Sequence, residues 1–416
     1  MKIAVWHNLP SGGGKRALYY HVRGLVQRGH EVACWSLDTA DQSYLPLSEF
    51  APERVLPSDL FSESPGDLKS PIGAGLRSRL APSYSAALAR MQAFDEACKR
   101  CAAEIEAGEF DLVFVNGSVG YHVPFIMQHL AMKKILYLQE PARFLYEARP
   151  ILPWVASAPD DLETSLFGPR QWLRDYPNLQ TLRLLAKQEW LNVQACDRVL
   201  VNSYFSRESV LRDYGVEPRV CYLGVDTKLF RHLSLERERF IVGLGSLDPI
   251  KRVDLAIRAL ALLPEPRPPL VWIANSGSES YRKEVSELAR SLGVALRIQM
   301  TISDAELVTI LNRATLLVCT SRLEPFGFAA LEANACGLPV VGVAEGGIRE
   351  TVKDGVNGLL VEPDAESVAR AVEQLLGNPS LARQMGEAGV ADVQEHWDVK
   401  QSVDRLERNL LEVVEK

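Results

Sequence analysis

Residues 315–343, TLLVCTSRLEPFGFAALEANACGLPVVGV, contain a complete strand–helix–strand pattern. The apolar runs at the two ends of this stretch predict buried strands. Between them, Pro325 and Gly327 interrupt any helix, so we expect a loop that leads into a helix over 328–336. Two strands joined through a helix in this way are parallel, which predicts an α/β fold.

The same alternation of short apolar runs and helical patterns occurs twice, on either side of a break near 225–238. We therefore predict two doubly wound parallel-sheet domains that face each other, over 1–226 and 232–395. Ligands of such sheets bind at the carboxyl ends of the strands, so a deep cleft between the domains is the expected site. Residues 38–82 and 150–180 show weak periodicity and are predicted to be irregular, and two helices are expected to finish the chain.

Charge and cysteine content argue against several classes of protein. The chain carries 46 basic and 53 acidic residues, a net charge of −7, whereas nucleic-acid-binding modules are usually basic. Its seven cysteines are odd in number and scattered, which argues against a disulfide framework and predicts a reduced, cytoplasmic setting. No apolar run reaches the roughly 18 residues of a membrane span. This leaves only peripheral contact with the inner face of a membrane open.

Two carboxylates in the opening stretch form the strongest candidate motif. Glu324 is expected in the loop before the helix, and Glu332 within about its first turn. Carboxylates placed in this way can converge on a polyhydroxy ligand, and the free N–H groups of a helix start can bind a sugar hydroxyl or a phosphate. Alternatively, both acidic residues only stabilise the helix N-terminus electrostatically. The spacing alone leaves both interpretations open.

Three glycine-containing turns between strands and helices are candidate anion-binding loops. In residues 243–252, Lys251 and Arg252 could neutralise phosphate, but the third glycine of a dinucleotide-binding fingerprint is missing. The other two turns contain Gly12 to Gly14 and Gly346–Gly347. The first of these is either an anion-binding loop or a permissive turn, and at the second the backbone N–H groups of a helix start could bind a diphosphate. No HxxxH or DxD pattern indicates a metal site.

Residues 321–364, SRLEPFGFAALEANACGLPVVGVAEGGIRETVKDGVNGLLVEPD, resemble the signature block of family-4-type retaining glycosyltransferases (glycosyl transferases group 1). The two glutamates match the E-x7-E motif of that family. Further similar segments occur in the family's order, namely SGGGKRALYYHVRGLVQRGHEV (11–32), DRVLVNSYFSRESVLRDYGV (197–216), YLGVDTKLF (222–230) and GLGSLDPIKRVDLAIRAL (243–260). The resemblance implies the GT-B fold of two facing Rossmann-like domains, with a C-terminal helix over 396–416 that returns to the first domain.

The resemblance also implies a donor site for a nucleotide diphosphate sugar, with no metal or other cofactor. In that site Glu324 would contact the hydroxyls of the donor sugar, Glu332 the ribose, and Lys251 the diphosphate. The other donor-binding residues that it implies are Gly13, Gly14, Ser246, Arg252, Phe326, Gly327, Phe328, Ala329, Gly346 and Gly347.

Two positions depart from the family pattern. Ser246 stands where the family usually has arginine, and Gln139, near the donor sugar, stands where it commonly has histidine. Glutamine can hydrogen-bond a hydroxyl but cannot carry a proton as histidine can. The catalytic set that the resemblance implies is Glu324, Lys251 and Gln139.

The function that the resemblance implies is retaining transfer of a mannose- or glucose-type hexose, as in polysaccharide biosynthesis. The acceptor would be a hydroxyl of a glycan, a lipid-linked molecule or a small molecule. Ser246 and Gln139 leave open a non-catalytic or weakly active relative that binds a nucleotide sugar. A GT-B-fold epimerase or phosphorylase is the other alternative.

Overall fold

The computed structural model describes residues 1–58, 82–146 and 169–415. In these residues the strands are β1 (Lys2–Asn8), β2 (Glu31–Leu37), β3 (Glu53–Leu56), β4 (Leu112–Ser118), β5 (Lys134–Leu138), β6 (Arg198–Val201), β7 (Arg219–Val220), β8 (Ile241–Leu244), β9 (Leu270–Ala274), β10 (Leu296–Met300), β11 (Leu316–Cys319), β12 (Val340–Val343) and β13 (Gly358–Val361). The helices are α1 (Gly13–Gln27), α2 (Pro82–Glu106), α3 (Ile126–His129), α4 (Arg143–Tyr146), α5 (Pro169–Gln194), α6 (Tyr204–Tyr214), α7 (Val253–Ala261), α8 (Glu279–Ser291), α9 (Asp304–Arg313), α10 (Phe328–Ala335), α11 (Ile348–Thr351), α12 (Ala365–Gly377), α13 (Pro379–His396) and α14 (Val399–Val414).

The strands form two parallel sheets, which confirms the predicted fold class. The first sheet has the order β3-β2-β1-β4-β5-β6-β7, and the second has the order β10-β9-β8-β11-β12-β13. Both run outward from a central first strand and reverse direction beside it, as in doubly wound folds. Such a reversal leaves a crevice at the carboxyl ends of the central strands, where ligands bind in folds of this kind.

The stretch at 315–343 folds as expected. The strand β11 is fully buried and pairs with β8 on one side and β12 on the other. Helix α10 begins at Phe328, directly after Gly327, and ends before the glycine–leucine–proline turn that leads into β12. Short buried strands such as β11 consist of consecutive apolar residues because both faces of the sheet are covered there.

Three expectations about the elements are wrong. The segment 38–82 contains β3, an edge strand that pairs only with β2 and buries only Leu56 fully, so it carries little apolar alternation. Helix α5 begins at Pro169, within the segment expected to be irregular, and a first-turn proline is favourable there because its missing N–H would have no partner. Three helices finish the chain, because Pro379 starts a new helix directly after α12. Residues 59–81 and 150–168 of the segments expected to be irregular lie outside the described residues.

The C-terminal helix α14 packs on α1 of the first domain. A Cβ on Gly24 of α1 would lie 2.4 Å from Val403 of α14, so the two helices approach as closely as glycine allows. His21 Nε2 lies 3.0 Å from the Ser402 hydroxyl, and Arg28 pairs with Glu407. The last helix therefore belongs spatially to the first domain, as the resemblance implies. The domain bounds at 226, 232 and 395 stay predictions.

The two connections between the domains run side by side. Val225 N–H donates to the Trp397 carbonyl at 2.8 Å, and Val399 N–H donates to the Val225 carbonyl at 2.9 Å. A Cβ on Gly224 would lie 2.7 Å from the Asp398 carbonyl oxygen, so only glycine permits this approach. Among the described helices, none has both the length and the apolar composition of a bilayer span.

Candidate functional site

A cavity of about 310 Å³ lies between the two domains at the carboxyl ends of the strands. The first domain contributes the start of α1 and Tyr44, and the second contributes the ends of β8, β9 and β11 with the starts of α9 and α10. Of the residues expected to bind the donor, those that line the cavity are Gly13, Ser246, Lys251, Glu324, Gly327, Phe328, Ala329 and Glu332. The residues that the sequence analysis selected in each of the two domains therefore line the same cavity.

Lys251 and Glu324 form an ion pair in this cavity. Lys251 Nζ lies 2.8 Å from Glu324 Oε2, and both side chains are about four-fifths buried. Burial lowers the pKa of Lys251, but Glu324 more than offsets this, so the pKa is raised. Burial likewise raises the pKa of Glu324, but Lys251, the Ser321 side chain and Arg143 together lower it by more, so the net direction is downward. Both groups are therefore charged at neutral pH.

Backbone contacts hold the loops that carry this pair. The Thr320 hydroxyl lies 2.9 Å from both the Lys251 and the Arg252 carbonyl oxygens, and Arg322 N–H donates to the Ile250 carbonyl at 2.8 Å. Arg252 and Leu323, the residues next to Lys251 and Glu324, both have positive φ, at 48° and 50°. Left-handed backbone at non-glycine residues is costly, and it persists where the surroundings impose it. The pair is therefore positioned by the backbone on each side.

Two helix N-termini at the cavity have no side-chain cap. Helix α1 follows Gly12 and helix α10 follows Gly327, and no side chain caps either start. At Gly327 φ is 97°, and a Cβ would lie 2.6 Å from the Thr351 hydroxyl. Glycine is therefore required there for both its conformation and its size. Uncapped N–H groups of a first turn can bind an anion that enters the cavity.

Gly346 and Gly347 contact the Glu324 loop. A Cβ on Gly346 would lie 2.4 Å from the Glu324 carbonyl oxygen, and one on Gly347 would lie 2.1 Å from that of Pro325. Gly347 N–H donates to the Glu324 carbonyl at 2.6 Å. Neither glycine is among the cavity-lining residues. In this structure they place Glu324 by close backbone approach.

The remaining residues expected at the donor site also lie outside the cavity lining. Gln139 Oε1 accepts from Asn202 Nδ2 at 3.0 Å, and the Gln139 side chain is close to Gly14. Phe326 is buried, with its ring 5.8 Å from that of Trp397. Arg252 Nη1 lies 3.4 Å from Glu345 Oε2.

Contacts from the first domain also hold the loop of Glu324. Ser203 Oγ donates to the Pro325 carbonyl at 2.6 Å, and Arg143 donates to the Arg322 carbonyl at 3.2 Å. In the other direction, Glu350 of α11 accepts from the backbone N–H groups at the start of α6, at 2.9 and 3.0 Å. Sequence reasoning missed these contacts because each joins positions far apart in the chain.

Arg16 of α1 is a cavity-lining residue that sequence reasoning also missed. Its guanidinium reaches across to the second domain, where it pairs with Asp304 at 2.5 Å and lies 3.4 Å from Glu332. Burial raises the pKa of Glu332 to about 7, Arg16 lowers it, and Asp304 raises it. Because Arg16 is only two residues after Gly14, the sequence indicates that it lies near the glycine turn. Nothing in the sequence indicates that Asp304 and Glu332 are its partners.

Two family models match this chain. Residues 11–229, more than half of the chain, match Glycosyltransferase Family 4, and residues 225–392 match Glycosyl transferases group 1. The chain belongs to glycosyltransferase family 4. The two matched regions meet where the chain passes from the first sheet to the second, so the two models together cover both sides of the cavity.

Curated relatives of this family-4 chain are D-inositol 3-phosphate glycosyltransferases. The protein from Acidothermus cellulolyticus is 35% identical over 231 residues, which cover 50% of this chain and 51% of the relative. The protein from Thermobifida fusca is 32% identical over 222 residues, covering 48% and 51%. These matches therefore span about half the length of the relatives.

Solved structures confirm the GT-B fold of this family-4 chain. Sucrose-phosphate synthase from Thermosynechococcus elongatus superposes with a TM-score of 0.69 at 21% identity, covering 99% of each chain. Anabaena HepE in complex with UDP-glucose superposes with a TM-score of 0.68 at 19% identity, covering 99% of this chain and 100% of HepE. At these identities the likeness establishes the fold.

Proposed function

We propose that this family-4 chain transfers a hexose from a nucleotide diphosphate sugar to an acceptor hydroxyl, with retention at the anomeric carbon and without a metal. The observation that carries the proposal is the Lys251–Glu324 pair in a cavity flanked by two uncapped helix N-termini. This arrangement offers a cation and free N–H groups for a diphosphate, beside a carboxylate for sugar hydroxyls.

The proposed roles follow from what each group can bind. Lys251 and the N–H groups that start α1 and α10 receive the diphosphate, whose charge grows as the sugar leaves. Glu324 accepts hydrogen bonds from the sugar hydroxyls, and Glu332 accepts them from the ribose. Groups already oriented toward the developing charge stabilise the transition state without reorganisation, which is the largest contribution in many enzymes.

Retention is proposed to proceed by departure and attack on the same face of the sugar. A donor phosphate oxygen then accepts the acceptor's proton, and no protein base is needed. Gln139 supports this route because an amide cannot take up that proton. Glu324 supports it too, because its carboxylate is already held by Lys251 rather than poised as a nucleophile.

UDP-hexoses are the proposed donors, supported by the UDP-glucose complex of the structurally similar HepE. The proposed acceptor is a hydroxyl of a glycan, a lipid-linked molecule or a small molecule. The inositol 3-phosphate in the relatives' name makes a polyol phosphate the first small-molecule acceptor to assay.

A thermal-shift screen with UDP-, GDP- and ADP-sugars tests the donor, because a ligand that binds the native state raises the melting temperature by mass action. Transfer assays with the stabilising donor then compare Glu324→Gln with Glu287→Gln, which changes an exposed carboxylate on α8. Loss of one preorganised polar contact costs on the order of 100-fold in turnover, so we expect that loss only in the first variant. Near-normal transfer by Glu324→Gln would contradict the role of Glu324.

A further inference from the structure

Arg16 joins the two domains at the cavity between them. Arg16 Nη1 and Nη2 donate to the two carboxylate oxygens of Asp304, at 2.9 and 2.5 Å. Arg16 Nε lies 3.4 Å from Glu332 Oε1. One guanidinium from α1 therefore meets the carboxylate at the start of α9 and the carboxylate of α10, and all three side chains line the cavity.

The surroundings of Arg16 leave its side chain little freedom. Arg16 is only 5% exposed, and its guanidinium lies 5.4 Å from the ring centre of Phe230 and 5.7 Å from that of Tyr44. Nη1 also lies 3.3 Å from the Tyr20 hydroxyl. A planar guanidinium that is stacked and paired on several sides has a defined orientation, which an ammonium group would lack.

The contact with Arg16 favours the charged form of Glu332. It is 4% exposed, and burial alone disfavours a carboxylate. The charged and titratable groups that face it are Arg16 and Tyr20 of α1, Tyr44, Asp304 of α9 and Cys336 after α10. Among these, Arg16 is the cation, while Asp304 opposes the charge of Glu332.

Resting on the proposed function, we propose that Arg16 is a positioning residue for the nucleoside half of the donor. From the first domain it holds Glu332 of the second domain as an oriented carboxylate, which accepts the ribose hydroxyls. Domain closure and nucleoside recognition are thereby coupled, because the contact of α1 with α9 and α10 favours the charged form of the ribose partner.

This role links donor binding to a proton. The pKa of Glu332 is raised to about 7 in the free protein, and ribose hydroxyls that donate to the carboxylate favour its ionised form. Affinity therefore falls as pH drops below about 7, and binding there releases up to about one proton. Removing Arg16 raises the midpoint of this profile, whereas removing the charge of Asp304 lowers it.

Isothermal titration calorimetry with UDP-glucose tests the inference from about pH 5.5 to about pH 8.5, a range in which the diphosphate diester of this probe does not titrate. The chain is compared with Arg16→Met, Asp304→Asn and Glu332→Gln. Below about pH 6 we expect about tenfold weaker binding for Arg16→Met, corresponding to a shift of about one pKa unit, and about fivefold weaker binding at pH 7. We expect opposite midpoint shifts for Arg16→Met and Asp304→Asn, and for Glu332→Gln a profile that does not depend on pH.

A purely structural role predicts a different result. If Arg16→Met and Asp304→Asn weaken binding equally at every pH, with the wild-type midpoint, the inference is overturned while the donor site stands. If the folded wild type does not bind UDP-glucose, the proposed UDP-hexose donor falls, and this inference falls with it. Should Arg16→Met not fold, Arg16→Lys replaces it, because it keeps the charge but loses the paired contact. We then expect weaker binding with a nearly unchanged midpoint, and unchanged affinity would overturn the inference.

Discussion

The second domain holds its cavity loops mainly by close backbone approaches, whereas the first domain adds side chains that reach across to the second. Lys251 ends the 3-10 turn Pro249–Lys251 between β8 and α7, and Glu324 lies in the loop after β11, where glycines approach closely. Arg16 and Ser203 instead extend from α1 and from the start of α6 to partners in the other domain.

This difference determines how the contacts of each domain respond to a substitution or to a change of pH. Contacts made by backbone approach are lost when a Cβ is added, because neighbouring main chain cannot move aside cheaply. Contacts made by side chains are lost one at a time and respond to pH. The first kind suits a part of the site that stays assembled, and the second suits a part that closes over a ligand.

The largest expected effect is from Gly327→Ala, which tests backbone placement. The new Cβ would lie 2.6 Å from the Thr351 hydroxyl, and φ at this position is 97°. We expect a loss of up to about 3 kcal/mol in the free energy of unfolding, measured in urea, together with weaker donor binding. Gly377→Ala is the matched control, because a Cβ there meets no atom within 4 Å. Equal stability of the two variants would contradict the argument.

His21 provides a pH test of the side-chain contacts in the first domain. Burial between α1 and α14 lowers its pKa to about 4, below an unfolded value of about 6.5. Its neutral form therefore contributes stability above pH 6.5 that is lost as pH falls toward 4. Between pH 7 and 5 we expect the wild type to lose about 2 kcal/mol more than His21→Gln in urea unfolding. Parallel losses in both proteins would show that His21 is not the responsible group.

Glu350→Gln tests the contact that runs from the second domain to the first. The Glu350 carboxylate accepts from the N–H groups of Tyr204 and Phe205 and from the Tyr222 hydroxyl. Charge-assisted hydrogen bonds of this kind contribute about 1–2 kcal/mol, so a lower melting temperature is expected. The exposed-site variant Glu287→Gln serves again as the control. A melting temperature like that of the control would mean that the contact adds nothing to domain coupling.

The smallest effect is expected at a helix cap beside Asp304. Ser303 and Glu306 form a capping box at the start of α9, and Ser278 caps α8. Replacing either serine by alanine should cost about 1 kcal/mol of stability. Only Ser303→Ala should also weaken donor binding, by a few-fold, because it loosens the helix start that carries the partner of Arg16. Equal donor binding by the two variants would show that the Ser303 cap does not affect the donor site.

The sequence analysis predicted the features that depend on neighbouring residues and missed the contacts between residues far apart in the chain. The order of strands and helices and the shared cavity of Lys251 and Glu324 depend on residues close together in sequence or on strand ends that a parallel sheet brings together. The pairing of Arg16 with Asp304 joins positions 288 residues apart, and that of Ser203 with Pro325 joins positions 122 apart. No periodicity or local motif reports such a contact, because it depends on how the two domains are oriented.

The sequence analysis missed the edge strand β3 for a different reason. Periodicity detects an element through the alternation of buried and exposed positions, and β3 has one fully buried residue in four. Hydrogen bonding to β2 defines it as a strand, and this is invisible in composition.

The paired connections at Val225 and Val399 have a mechanical consequence. The strand β1 and the helix α14 both lie in the first domain, and the second domain is inserted between two neighbouring, hydrogen-bonded positions. Tension applied between residues 1 and 415 is therefore borne by the first domain and by the contact of α14 with α1. The second domain carries load only after those two hydrogen bonds have separated.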